Sequence, residues 1–193
     1  MRLTTRTSQI DHDASKRRTT LISSNSAHWR ERIFLLAIII TTCIVFSKSL
    51  DNAFLISWDD DQYVSENALI KDLSWQSVGV MFTTVHSSGN YHPLTLLSYA
   101  CEYKMFGLNP KPFHVTNLLL HCINILLVYY LIKRLSGRFE TAAITAVFFG
   151  IHPMHVESVA WISERKDLLY SLFFLGSLNC YVAFLKARIK KLS

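Results

Sequence analysis

The sequence lacks the patterns that assign many soluble enzymes to a class. Its four cysteines, Cys43, Cys101, Cys122 and Cys180, lie far apart and indicate neither a disulfide framework nor a zinc site. It has no Gly-x-Ser-x-Gly elbow, which argues against a serine hydrolase, and no glycine-rich phosphate loop. No internal repeat is visible. We therefore expect no resident cofactor, and the informative features are the hydrophobic segments and the charged loops between them.

Hydrophobic residues make up 50% of the 193 positions and are concentrated in separate segments. This distribution is typical of a membrane protein. The predicted fold is all-α, a polytopic membrane protein with four transmembrane helices at about 33–50, 113–132, 139–153 and 168–185. A cleaved signal peptide is the alternative for the first segment, but the long polar leader before it and the further segments after it favour a retained anchor.

Charge is distributed unequally around this predicted membrane domain, 33–185. The chain is predicted to have a disordered polar tail over 1–32 and a basic tail over 186–193. Together with the turn between the second and third helices, counted through Glu140 at the start of the third helix, these tails carry 14 Lys/Arg and 4 Asp/Glu. The two opposite loops carry 6 Lys/Arg and 10 Asp/Glu. The positive-inside rule places both termini in the cytoplasm, as in a bacterial inner membrane or an endoplasmic-reticulum type membrane. The net charge of +6 therefore reflects topology, and no nucleic-acid partner is expected.

The first outer loop, 48–112, is predicted to contain two short amphipathic helices that lie along the membrane interface. Ser74 can cap a helix that extends to Phe82. Pro93 suits the first turn of a second helix that ends near Phe106. The side chains of this second helix that are expected to lie on the membrane are Leu96, Leu97, Tyr99 and Ala100.

Asp59, Asp60 and Asp61, here called the acidic triplet, follow the first hydrophobic segment closely. Like charges packed so closely favour retention of a proton by at least one carboxyl group, which brings it nearer to the pKa of a general base. A solvated acidic turn is the alternative. Val64 and Ile70 argue against a calcium loop, because they occupy positions where an EF-hand has Gly and Glu.

The second hydrophobic segment carries a polar stripe of His114, Asn117, His121 and Asn124, whose spacing places all four on one helical face. Polar side chains in a membrane helix face the interior of the bundle. Hydrogen bonding between helices is the simpler interpretation of the stripe. Contact with a ligand is the alternative.

The second outer loop and the residues beside it contain His152, His155, Glu157, Glu164, Arg165, Lys166 and Asp167. The spacing of His152, His155 and Glu157 matches no zinc motif, so no metal site is predicted. Together the two outer loops suit transfer chemistry on a lipid-linked anion. A carboxylate can take the proton from an attacking hydroxyl, while Arg165, Lys166 or a histidine stabilises a phosphate leaving group. Interfacial anchoring is the alternative for Arg165 and Lys166.

Six motifs occur in one order along the chain: Trp58–Val64, Tyr91–Thr95, Phe106–Pro110, Phe113–His121, His152–Ala160 and Glu164–Leu169. Taken together, they resemble the N-terminal part of the transmembrane and tetratricopeptide-repeat family. These proteins are GT-C type glycosyltransferases related to protein O-mannosyltransferases. The resemblance covers about 54–184, and several motifs in order are far more specific than any one of them.

The resemblance implies a multi-span enzyme that transfers a mannose-like sugar from a polyprenyl-phosphate carrier to a protein or glycan hydroxyl on the outer face. The family's Asp-Asp pair matches Asp59 and Asp60, one of which, with Asp60 preferred, would activate the acceptor. Its Gly-Arg-x-Asp stretch appears as Glu164–Asp167, with Glu in place of Gly. His92 stands where animal members tend to have Arg, so a phosphate-binding role there would fall to a group that is not always charged.

The remaining polar candidates are supporting groups in this interpretation: His152, His155, Glu157, Asp167, His121 and Asn117. Family members continue through further membrane helices and usually end in tetratricopeptide repeats, so the chain is expected to be a fragment or one piece of a split protein. A non-catalytic membrane module, which packs helices or anchors a partner, is the alternative function. A proton-coupled transporter is a third, but the carboxylates lie at the outer edge of the membrane rather than at its centre.

Overall fold

The computed structural model describes residues 29–85 and 89–192. Helices account for the regular secondary structure in these two stretches, so the all-α prediction is confirmed. The chain divides into two compact units, Met1–Ala37 and Ile38–Ser193. The first unit is helical over 29–37, and the rest of the predicted tail, 1–28, lies outside the described residues. All contacts discussed below are within the second unit.

The described helices are α1 (29–45), α2 (Ala68–Lys71), α3 (Trp75–Thr83), α4 (Pro93–Phe106), α5 (Pro110–Ser136), α6 (Phe139–Ile151), α7 (Val156–Ala160) and α8 (Arg165–Leu192). Short 3-10 segments occur at Ser47–Asp51, Pro153–His155 and Ile162–Glu164, and a π-helical turn occurs at Asp61–Ser65. Helix α5 is central, because α6 and α8 both pack extensively along it.

Local sequence sets both ends of α5. The side chain of Asn109 accepts a hydrogen bond from the backbone N–H of Lys111 at 3.1 Å, and Pro110 occupies the first turn. At the other end Gly137 has a φ of 69°, a left-handed conformation that glycine adopts without steric cost. The helix is therefore longer at both ends than the predicted span of 113–132.

Two helical segments in the described part of the chain are long and apolar enough to cross a membrane, Pro110–Ser136 and Ile162–Leu192. Helix α6 is apolar but has 13 residues, fewer than the ~17–25 that a spanning helix usually needs. Length and composition therefore agree with a membrane protein, whereas the predicted number of four spans is not confirmed.

The ends of α6 and α8 differ from the predicted bounds for local reasons. Helix α6 ends at Ile151 because His152 is extended and Pro153 begins a 3-10 turn. Helix α8 begins at Arg165 and continues to Leu192, so it includes nearly all of the predicted basic tail. The first α-helix ends at residue 45 and is followed by the 3-10 segment Ser47–Asp51.

The first long loop folds into a compact helical layer, formed by α2, α3 and α4. The predicted helix starts are confirmed, because Ser74 accepts a hydrogen bond from the Ser77 N–H at 3.2 Å and Pro93 occupies the first turn of α4. The prediction that Leu96, Tyr99 and Ala100 lie on the membrane is wrong. These three side chains are buried in a core cluster completed by Tyr63, Val64, Ile70, Met81, Phe113 and Ile162. Burial within this cluster, which includes Phe113 of α5, removes the apolar surface from water without a lipid surface.

Candidate active site

Asp60 joins the acidic triplet to the chain just before α8. Its side chain is 1% exposed. One carboxylate oxygen accepts hydrogen bonds from the Ser163 N–H at 3.0 Å and from the Ser163 hydroxyl, and the other accepts from the Leu55 N–H at 2.9 Å. Hydrogen bonds to an ionised acceptor are about twice as strong as neutral ones. Asp60 therefore holds together two loops that lie 103 residues apart in sequence.

Asp61 stabilises the turn that precedes the triplet. Ser57 has a φ of 67°, which is unusual for a residue with a side chain. A carboxylate oxygen of Asp61 accepts a hydrogen bond from the Ser57 N–H at 2.6 Å. This contact fixes the left-handed turn from which Trp58 and Asp59 project.

Asp59 is the member of the triplet that is placed beside a cation. Its side chain is 42% exposed, and one carboxylate oxygen lies 3.9 Å from Lys166 Nζ. Lys166 also donates to Glu164 at 2.7 Å and lies 5.9 Å from the centre of the Tyr63 ring. The His92 ring centre is 6.3 Å from that of Tyr63. Asp59, Lys166, Tyr63 and His92, here called the carboxylate–lysine site, bring a carboxylate, a cation and an imidazole around one aromatic ring.

Arg165, the neighbour of Lys166, is completely buried. Its Nε donates to Asn117 at 2.8 Å and its Nη2 donates to the Phe113 carbonyl at 2.9 Å. Its Nη1 donates to Ser98 at 3.0 Å and to Glu102 at 2.7 Å. Every nitrogen of the guanidinium is therefore engaged inside the protein. A donor phosphate could reach Arg165 only if these bonds broke, so the geometry favours a structural role over the predicted phosphate contact.

The polar stripe of α5 faces the protein interior, as predicted: the exposed fractions are 2% for His114 and 0% for Asn117, His121 and Asn124. Three of the four contact backbone carbonyls elsewhere, each at 3.0 Å: Asn117 with Trp161, His121 with Gly150 and Asn124 with Leu168. These contacts favour hydrogen bonding between segments over ligand contact as the role of Asn117 and His121.

His155 belongs to an aromatic cluster rather than to the carboxylate–lysine site. Its ring centre lies 4.5 Å from that of Phe149, 5.3 Å from that of His121 and 6.5 Å from that of His152. Burial lowers the pKa of His155 below its usual value, and the neighbouring His152 lowers it further. His155 is therefore held as neutral imidazole near neutral pH.

The other predicted supporting groups also have local contacts. His152 Nδ1 accepts a hydrogen bond from the Met154 N–H at 3.2 Å and so caps the following 3-10 turn. A carboxylate oxygen of Asp167 lies 3.4 Å from the Ser158 hydroxyl, which donates to it, and Glu157 is exposed. Within the described residues, no side-chain hydrogen bond or ion pair links these groups to Asp59 or Lys166.

A cavity of about 320 Å³ opens beside Asp60, lined by Asn52, Ala53, Phe54, Leu55, Asp60, His114 and Ala160. This volume is at the lower end of small-molecule pockets, which span roughly 300–1,000 Å³. His114 is 2% exposed, and its ring lies close enough to the backbone of Asn52 to interact with it. It therefore lines the buried side of the cavity.

Sequence reasoning missed three residues that organise this region. Ser163 binds Asp60, while Glu102 and Ser98 bind Arg165. Serines carry no distinguishing pattern at these positions. Glu102 offered one signal, because it is an acidic residue within an otherwise largely apolar helix that the chain must either expose or pair.

Comparison with known proteins identifies relatives of the chain. Mouse protein O-mannosyl-transferase TMTC2 is 34% identical over 132 residues, which cover 65% of this chain and 16% of the relative. Mouse TMTC1 is 32% identical over 151 residues, which cover 72% of this chain and 16% of the relative. Human TMTC4 is 32% identical over 162 residues, which cover 72% of this chain and 21% of the relative. These relatives are TMTC-family proteins, and the chain resembles a part of them.

The resemblance inferred from the six motifs is thereby confirmed. The chain spans between 16% and 21% of the length of these three relatives, all of which are named protein O-mannosyl-transferases. No family model and no solved structure gives a significant match to the chain.

Proposed function

We propose that this chain contributes the acceptor-activating edge of a membrane glycosyltransferase, which moves a mannose-like sugar from a polyprenyl-phosphate carrier to a hydroxyl group. The observation that carries the proposal is the carboxylate–lysine site. There Asp59 lies 3.9 Å from Lys166 and is open to solvent, while its neighbour Asp60 is buried and bonded. The names of the TMTC relatives support the reaction class.

In this mechanism Asp59 takes the proton from the acceptor hydroxyl as the hydroxyl oxygen attacks the anomeric carbon of the donor. The bond between that carbon and the phosphate oxygen breaks, and the phosphate leaves with the electron pair. Lys166 stabilises the developing charge on the phosphate, and His92 assists when it is protonated. Asp60 acts as a positioning residue through Ser163.

The mechanism also requires a membrane topology. We propose four spans, formed by α1, α5, α6 and α8, with both termini in the cytoplasm and the acidic triplet on the outer face. Single-cysteine variants, Asp61→Cys, Ala160→Cys and Ser136→Cys, test this in a background without native cysteines. A membrane-impermeant reagent should modify the first two from outside and Ser136→Cys only after permeabilisation. Labelling of Ser136→Cys from outside would contradict this topology and indicate the opposite orientation.

The transfer reaction is tested in the longest natural chain that contains this sequence, reconstituted in proteoliposomes with a radiolabelled polyprenyl-phosphate sugar. Loss of a general base typically lowers the reaction rate by roughly 10²–10⁴-fold. Asp59→Asn should therefore nearly abolish transfer, while the melting temperature stays close to that of the wild type. Asp60→Asn should lower both transfer and the melting temperature. Asp51→Asn is the matched control, since Asp51 is an exposed carboxylate of the same loop, 3.8 Å from Lys111.

Wild-type turnover in Asp59→Asn would refute the mechanism. Wild-type turnover in Asp60→Asn as well would leave the acidic triplet without a part in the reaction. The acidic triplet would then be a structural turn, and a non-catalytic membrane module would be the better description. Lys166→Gln refines the donor side: the proposal expects a lower rate and weaker retention of the polyprenyl-phosphate donor, with acceptor binding unchanged.

A further inference from the structure

A groove lies between α5 and α8 at the opposite end of α5 from the candidate active site. It has a volume of about 330 Å³ and is lined by Leu127, Tyr130, Arg134, Gly176, Asn179, Cys180 and Ala183. At 1.5 Å per residue, Arg134 lies roughly 30 Å along α5 from Phe113, which contacts Arg165. The walls are mostly apolar, and the two helices that form them are those long enough to cross a membrane. We call this region, together with Lys186, the basic groove.

Arg134 is held in place at the polar end of the groove. Its Nη1 donates to Asn179 Oδ1 at 2.6 Å and to the Asn179 carbonyl at 3.3 Å. Asn179 is 6% exposed and is itself fixed, because its amide nitrogen donates to the Leu127 and Leu175 carbonyls at 3.0 and 2.9 Å. These bonds orient the guanidinium but use only one of its three nitrogens within the described residues.

Further positive charge surrounds this position. Lys186 Nζ donates to the Arg134 carbonyl, which brings the ammonium of α8 to the end of α5. Residues 133–138 contain three basic residues and no acidic one, and residues 186–193 contain four basic residues and no acidic one. No carboxylate forms an ion pair with Arg134 or Lys186 in the described part of the chain.

Gly176 provides the open space in the α8 wall. A Cβ atom built on Gly176 meets nothing within 4 Å, so the missing side chain leaves room and is not required for helix packing. From Leu127 to Arg134 the groove follows α5 for roughly 10 Å. An apolar channel of this length that ends at an oriented guanidinium matches an acyl chain attached to a phosphate.

We propose that the basic groove binds one anionic phospholipid. Its headgroup phosphate contacts Arg134 and Lys186, and the first part of one acyl chain lies between α5 and α8 against Gly176. Charge complementarity selects an anionic lipid over a zwitterionic one, because within the described residues no carboxylate is paired with Arg134 or Lys186. The site is independent of the transfer chemistry, since none of its residues belongs to the carboxylate–lysine site.

Native mass spectrometry of the detergent-solubilised full chain tests this, with phosphatidylglycerol and phosphatidylcholine as the probes. The wild type should retain one phosphatidylglycerol in preference to phosphatidylcholine. Arg134→Gln and Lys186→Gln should each weaken that preference roughly fivefold. Arg188→Gln is the matched control, because it removes an exposed cation of the same helix and should leave the preference unchanged.

The Gly176→Leu variant tests the acyl chain separately. It fills the groove without altering a charge or a hydrogen bond, so it should abolish retention of phosphatidylglycerol while the protein remains folded. It also keeps the proposal testable if Arg134→Gln misfolds. Equal retention of both lipids by the wild type, or unchanged retention by Gly176→Leu, would overturn the proposal. Inorganic phosphate that binds as tightly as the lipid would show a free-phosphate site and would also overturn it.

Discussion

Two neighbouring residues, Arg165 and Lys166, lie in contrasting regions of the molecule. Arg165 is fully buried with each guanidinium nitrogen bonded, whereas Lys166 lies at an edge where Asp59 is 42% exposed. A buried charge must satisfy its hydrogen bonds inside the protein, so its capacity to bind a ligand is already used. A charge at an accessible edge keeps that capacity. Adjacent cations in one motif can therefore have a structural and a functional role respectively.

Replacement of Arg165 should have the largest effect on stability. Arg165→Met leaves Glu102 buried without its partner, and breaking a buried ion pair in this way costs about 3–5 kcal/mol. Lys166→Met, the matched change at the edge, should cost less than about 1 kcal/mol. Reversible chemical unfolding in detergent micelles measures the change in unfolding free energy for both variants. Arg165→Met combined with Glu102→Leu should recover part of the loss, and equal small losses in both single variants would contradict the distinction between the two regions.

Asp60 should be the next most sensitive position. Asp60→Ala removes three hydrogen bonds and leaves the buried Ser163 N–H without an acceptor, at a cost of about 2–3 kcal/mol. Asp51→Ala, on the exposed part of the same loop, should stay within about 0.5 kcal/mol of the wild type. Amide hydrogen exchange provides a second measurement, since the Ser163 and Leu55 N–H groups should lose protection in Asp60→Ala. Full protection there would show that Asp60 does not hold the two loops together.

The polar stripe of α5 allows a smaller test of the same comparison. Asn124→Leu and His121→Leu each remove one contact with a backbone carbonyl and should lower stability by about 1 kcal/mol. Val115→Leu, on an exposed part of the same helix, serves as the control. If Asn124→Leu and His121→Leu instead kept wild-type stability and lost only substrate binding, the stripe would line a groove for a ligand.

The smallest expected effect is a pH dependence from His155. Its pKa is lowered in the folded protein, so its contribution to stability is complete above the unfolded-state pKa of about 6.5 and is lost as pH falls through the folded-state value. His155→Phe should flatten the fall in unfolding free energy between pH 7 and 5, roughly the range in which histidine changes charge. An identical slope in the variant would show that His155 is solvated rather than packed against Phe149.

Several features of the fold could be predicted from local sequence. Ser74 and Pro93 marked the starts of α3 and α4, and the spacing of the polar stripe identified the buried face of α5. The six motifs indicated the resemblance to the TMTC proteins. These predictions succeeded because helix caps and helical periodicity depend on residues within a few positions of one another.

The role of each charged residue was decided only by the tertiary structure. Sequence alone determined that Asp59, Asp60 and Asp61 are adjacent, and that Arg165 precedes Lys166. It could not show that Asp60 and Arg165 point inward, because their partners, Ser163 and Glu102, lie 103 and 63 residues away. Successive residues in a turn or helix project in different directions. The contacts that stabilise a buried charge therefore come from distant segments, and only their packing separates a structural charge from an available one.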